Sequence, residues 1–131
     1  MGYRSDVYIA VAFASEEDMK EVLAVYTIDP RVQKYNLLQG WEVTEDNILY
    51  YHNDYVKWYS DYDDVEGIEH MLRLADKFHE ERDMPIAYRF IRLGEEDTDI
   101  EDRYEHGGDN GSLIDKLFNG MTVIRQVEIS L

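Results

Sequence analysis

The chain contains no cysteine. Disulfides, thiolate metal ligands and thiol nucleophiles are therefore all excluded. No apolar run approaches the roughly 18 residues needed to span a bilayer. The opening Met1-Gly2-Tyr3-Arg4-Ser5-Asp6 lacks the basic region, apolar stretch and cleavage site of a signal peptide, and Asp6 stands where a myristoylation signal needs Ser or Thr. A cytoplasmic protein is the expectation. Catalytic signatures are missing as well: there is no Ser-His-Asp order, no phosphate-binding Gly-rich motif and no His-Glu-x-x-His. Of His52, His70, His79 and His106, the two on one predicted helix (His70 and His79) do not have the i, i+4 spacing of a ligand pair. Gly107-Gly108 reads as a turn, because its acidic neighbours would repel a phosphate. The sequence predicts neither an enzyme nor a cofactor.

Positive charge is the other scarcity. Thirteen Lys and Arg face 29 Asp and Glu, for a formal net charge of −16 over 131 residues. Three segments account for this excess: 42–54 carries −4, 61–70 carries −5 and 93–109 carries −7, while the remaining chain is balanced. A field of this sign repels nucleic acid and anionic membranes. Neither is expected to bind directly, which leaves basic proteins, metal cations or no partner at all.

The length fits one domain, 1–131, and 44% hydrophobic residues with 11 tyrosines suffice for a core. Val7, Ile9, Val11 and Phe13 share one face of a strand whose other face holds Tyr8, Ala10 and Ala12, as in a central strand closely covered on its small side. Ser15-Glu16-Glu17-Asp18 reads as an N-cap with acids in the first turn, followed by Met19, Val22, Leu23 and Tyr26 at helical spacing. Asp29-Pro30 starts a short helical turn through Tyr35. Between Trp41 and Tyr59, three strand-like runs (Trp41–Thr44, Ile48–Tyr51 and Tyr55–Tyr59) are separated by Glu45-Asp46-Asn47 and His52-Asn53-Asp54. A helix over about 64–81 carries Val65, Ile68, Met71, Leu72, Ala75 and Phe78 as its apolar stripe.

Ile86–Leu93 reads as a strand, after which Gly94 opens an acidic loop at about 94–111. Ser112–Phe118 is a short helix closed by Asn119-Gly120, and Met121–Leu131 a final strand. This order predicts an α+β fold: a mainly antiparallel sheet with two helices on one face, ferredoxin-like with extra strands. No internal repeat or linker interrupts it.

Two acidic groups are the candidate contact residues. Glu95, Glu96, Asp97, Asp99, Glu101 and Asp102 have no evident structural reason. Carboxylates two apart on a strand lie about 6.6–6.8 Å apart, and four apart on a helix about 6 Å. Both approximate multiples of the phosphate rise of about 3.4 Å along a DNA strand. Asp61, Asp63 and Asp64 form a second row, although acids at a helix start also satisfy its dipole by about 0.3–1 kcal/mol each. A calcium loop is not matched, because Asp97-x-Asp99-x-Glu101 lacks the glycine and terminal glutamate of an EF-hand.

Trp41, Tyr50, Tyr51, Tyr55, Trp58, Tyr59 and Tyr62 crowd beside the first two acidic segments, and aromatics rimmed by acid suit a protein–protein contact. An alternative reading uses this aromatic hairpin for self-assembly, with a dimer one outcome and the acids serving solubility.

Met1-Gly2-Tyr3-Arg4-Ser5-Asp6-Val7 and Tyr88-Arg89-Phe90-Ile91-Arg92-Leu93-Gly94-Glu95, running into 97–102, resemble small acidic proteins encoded by tailed bacteriophages and prophages. That resemblance implies a host-cell cytoplasmic setting and a host-directed protein. Strongly acidic phage proteins include inhibitors that mimic DNA toward nucleic-acid-binding enzymes. The sequence-based expectation is a non-catalytic module that occupies the nucleic-acid-binding surface of a basic host protein.

Overall fold

The computed structural model describes residues 2–107, 111–123 and 127–131, with the side chain of Glu128 set aside. The predicted central strand forms as β1 (Ser5–Phe13). It is flanked on one side by β3 (Ile48–Val56) and on the other by β4 (Ile86–Gly94), both antiparallel. The short β2 (Trp41–Val43) and the longer β5 (Ile100–Gly107) close the edges, giving the order β2-β3-β1-β4-β5. The expected α+β domain with its mainly antiparallel sheet is therefore what forms.

The two faces of β1 divide the core. Val7, Ile9, Val11 and Phe13 pack under α1 (Glu16–Thr27), the short α2 (Pro30–Lys34) and α3 (Asp63–Arg82). Tyr8, Ala10 and Ala12 pack under α4 (Ser112–Gly120) and Met121, where the two small alanines allow the close approach. The sequence placed the helices on one face; α4 covers the other. The helices α1 and α2 start on side-chain caps. Ser15 Oγ accepts from the Asp18 N–H at 3.2 Å, and Asp29 Oδ1 accepts from the Arg31 N–H at 2.9 Å with Pro30 in the first helical position. Asp63, Asp64 and Glu66 occupy the first turn of α3 as expected.

Three expectations need correction. His52-Asn53-Asp54 is not a turn: β3 runs through it, with Tyr8 opposite His52 and their rings stacked at 4.4 Å. Pairing along the whole of β1 overrides the turn preference of Asn and Asp. The strand runs on to Val56, past Tyr55, whose left-handed backbone (φ 55°) accompanies a register shift against Ser5–Val7, and 57–59 lie outside any strand. The acidic loop at 94–111 is largely a strand, because only 95–99 forms the connection and Ile100–Gly107 pairs with β4. The single final strand is two short ones, β6 (Met121–Val123) and β7 (Val127–Ile129), paired with each other. The part of the expected loop at 108–110, with Asp109, lies outside the described residues.

Candidate partner-binding cleft

The β4–β5 connection decides what the acids of 95–102 do. The Gly94 N–H donates to the Asp99 carbonyl at 2.8 Å and the Asp99 N–H to the Glu96 carbonyl at 3.0 Å, closing the turn. Side chains then alternate along β5. Glu101 and Arg103 stand on the α3 face, where the Arg103 guanidinium lies 4.1 Å from the centre of the Phe90 ring. Asp102 and Tyr104 stand on the α4 face, where Tyr104 meets Phe118 edge-on at 4.9 Å. The expected continuous row of carboxylates is thus divided between two faces of a sheet.

Arginines hold most of what remains. Asp99 accepts from Arg92 Nη2 at 2.8 Å and Nη1 at 3.1 Å, and from the Tyr3 hydroxyl at 2.6 Å. These bonds, chiefly that from Arg92, hold its carboxyl below the usual range, while the hydrogen bond to Asp99 raises the Tyr3 phenol. Glu101 takes Arg92 Nε at 3.1 Å and Arg103 Nε at 2.8 Å. On the opposite face Asp102 receives both Nε and Nη2 of Arg89, at 3.1 and 2.8 Å. Arg89 is buried; its remaining Nη1 donates to the Met121 carbonyl at 2.6 Å, and its guanidinium lies over the Phe118 ring. A buried guanidinium must be paired, so Asp102 has a structural task.

On the α3 face, the N-terminal segment, residues 58–62, α3, β4 and β5 enclose an open cleft of about 820 Å³. Trp58, Tyr59 and Tyr62 form its aromatic wall. Asp61 and Glu69 enter from one side, Asp99 and Glu101 from the other, with Arg92 and Arg103 between them. Arg103 also pairs with Glu69 across the cleft. The Tyr3 N–H donates to Tyr59 Oη at 2.7 Å, and the Glu96 N–H donates to Tyr3 Oη at 3.2 Å, which ties the two sides through one tyrosine.

Of the nine candidate acids, Asp61, Asp99 and Glu101 line this cleft. Glu95, Glu96 and Asp97 lie exposed in the turn beside it, where Glu95 accepts from the Arg4 N–H at 2.9 Å. Asp63 and Asp64 are exposed in the first turn of α3, where Asp64 Oδ1 accepts from the Val65 N–H at 2.9 Å. Asp102 faces away, toward α4. Among the described residues, no three acids or histidines are grouped to hold a metal ion.

The sequence reading missed Arg89, Arg92 and Tyr3. Two arginines inside an otherwise apolar strand were the available signal, since each needs an acid opposite it. The register supplies Glu101 opposite Arg92 and Asp102 beside Arg89, but it is set by a turn whose length was not legible. The aromatic hairpin is partly core: Trp41 and Tyr51 are buried, and Trp41 donates to Tyr26 Oη at 3.1 Å. Tyr55 and Tyr62 are the exposed ones.

Compared with protein-family models, with curated proteins and with solved structures, the chain matches none. Among the described residues, no helix is long and apolar enough to cross a membrane.

Proposed function

We propose that the protein is a non-catalytic, acidic binding module, of the phage-inhibitor kind, that occupies the nucleic-acid-binding surface of a basic host protein. One observation carries this reading: two acidic segments some thirty residues apart in sequence meet around a single aromatic-walled cleft. The contact set is narrower than the whole acidic row. Asp61 and Asp63 on one side and Glu96 on the other are exposed and stand outside the arginine network just described. Asp99, Glu101 and Asp102 shape the scaffold by holding Arg92, Arg103 and Arg89. An incoming lysine or arginine would find carboxylates at the rim and tyrosine or tryptophan faces inside, a combination that supports cation–π contact.

The test is capture from bacterial lysate on immobilised protein at low salt, followed by elution with duplex DNA. The reading expects nucleic-acid-binding proteins in the DNA eluate, and their loss with the Asp61→Asn/Asp63→Asn/Glu96→Gln variant. An eluate identical for the variant and the native protein would overturn it.

A further inference from the structure

The outer edge of β5 is the longest strand edge left unpaired among the described residues: β5 ends the sheet order, whereas β2 at the other edge has only three residues. Charged side chains along an edge ordinarily deter strand addition. Here their order does something else. The Gly94 N–H bond to the Asp99 carbonyl fixes the parity of the ladder, because hydrogen-bonded pairs alternate with non-bonded ones. Arg92–Glu101, Phe90–Arg103 and Tyr88–Glu105 are then the bonded pairs, and Asp102, Tyr104 and His106 turn their backbone N–H and C=O outward.

A second β5 running antiparallel must pair those outward residues with one another, which limits the registers. Centred on Arg103, the strand opposes Arg103 to Arg103 and Glu101 to Glu105 of the other copy. Centred on Asp102 or Glu105, it opposes like carboxylates on the axis. Centred on Tyr104, it sets Arg103 against Glu105 and Asp102 against His106, twice each, with the two Tyr104 rings at the axis. Opposite charges directly across a strand pair are stabilising and like charges destabilising. One register is therefore self-complementary. It also brings together exposed apolar surface, since Tyr104 is 52% and Phe118 37% exposed and they touch each other.

We propose that β5 is a homodimerisation edge, in which two copies join through Tyr104-centred antiparallel pairing to form one continuous ten-stranded sheet. This interface is separate from capture of a basic partner, and salt distinguishes them. Two copies at −16 each repel one another, and added salt screens that repulsion. Dimerisation strengthens as salt rises, whereas an attraction between acid and base weakens.

The measurement is sedimentation equilibrium at about 50 and 500 mM NaCl, combined with cysteine cross-linking. Tyr104→Cys introduces a thiol on the axis, where opposed Cα atoms of a bonded pair lie about 5.5 Å apart, within disulfide range. Mild oxidation should give a covalent dimer from Tyr104→Cys and none from Glu17→Cys on α1. Arg103→Glu or Glu105→Arg alone should weaken the dimer about tenfold or more, and the two together should restore it. Arg103 also pairs with Glu69 and Glu101, so His106→Pro provides a second probe: it deletes an outward N–H while leaving the β4 ladder whole. A native protein that stays monomeric at high salt and high concentration overturns the proposal. So does a dimer indifferent to these substitutions, or equal cross-linking from position 17.

Discussion

Asp102 and Asp63 come from equally acidic stretches, and both carboxylates reach the surface, yet the fold uses them in opposite ways. Asp102 receives a two-pronged contact from Arg89, a side chain only 8% exposed, which also donates to the Met121 carbonyl. Asp63 sits in the first turn of α3 with Asp64 and Glu66, where a diffuse helix dipole is its main structural neighbour. From the sequence, the opposite assignment is the natural one: the helix start explains 61–64, and 95–102 has no structural reason. The difference teaches that acid density alone does not mark a contact surface. What matters is whether a base inside the fold already faces the carboxylate, and that depends on strand register.

The comparison can be broken in several ways. The largest effect is expected from Arg89→Ala, which strips Asp102 and the Met121 carbonyl of their shared donor. Leaving the buried Met121 carbonyl without its donor costs about 1–3 kcal/mol, and losing the packed arginine stem adds to it, read as a fall in the urea midpoint. A loss below about 1 kcal/mol would show that Arg89 and Asp102 are not coupled as described.

Binding should respond to the other group. Neutralising Asp61, Asp63 and Glu96 together should weaken the affinity for a deca-arginine peptide about tenfold, from roughly 0.2–1 kcal/mol per exposed charge. The slope of affinity against salt should flatten with it, as titration calorimetry at two salt concentrations would show. Equal weakening by Asp102→Asn would erase the distinction between the two segments.

A pH titration sharpens the comparison further. The Asp99 carboxyl is held below its ordinary range by Arg92 and Tyr3, so its folded-state pKa lies below the unfolded value. Its contribution is present above the unfolded pKa and lost as pH falls through the folded one. The stability gap between the native protein and Asp99→Asn should therefore be constant near neutrality and close below about pH 4. Asp76 has the opposite sign, because burial is the main cause raising its carboxyl despite the hydrogen bond from Tyr88. Asp76→Asn should be relatively stabilising at neutral pH, with the advantage fading as acid protonates the native carboxyl. The smallest effect belongs to Asp61→Asn, within about 0.5 kcal/mol in thermal or urea unfolding, as for other surface changes.

What was legible in the sequence follows the range of the interactions involved. Ser15, Asp29 and the acids of 63–66 act within one helical turn, so the helix starts were readable. β1 was readable because both its faces are buried and one carries alanines where α4 comes close. β5 was not, because an edge strand bearing Glu101, Asp102, Arg103 and Glu105 owes its place to arginines nine and thirteen residues before their partners, in β4. The path of β3 through Asn53 and Asp54 was hidden for the same reason: its cause is β1, over forty residues away. At the site, the acids and aromatics were visible as composition. Their meeting around one cleft, and the withdrawal of Asp99, Glu101 and Asp102 into arginine pairs, required the register.

The most direct test of this division compares the urea unfolding midpoints of Asp102→Ala and Asp63→Ala. Asp102→Ala should lose about 3 kcal/mol, because Arg89 is left buried and uncompensated. Asp63→Ala should lose no more than the roughly 0.3–1 kcal/mol of a dipole contact. Equal losses, or a larger loss at Asp63, would contradict the claim that the strand acids serve the fold and the helix-start acids face outward.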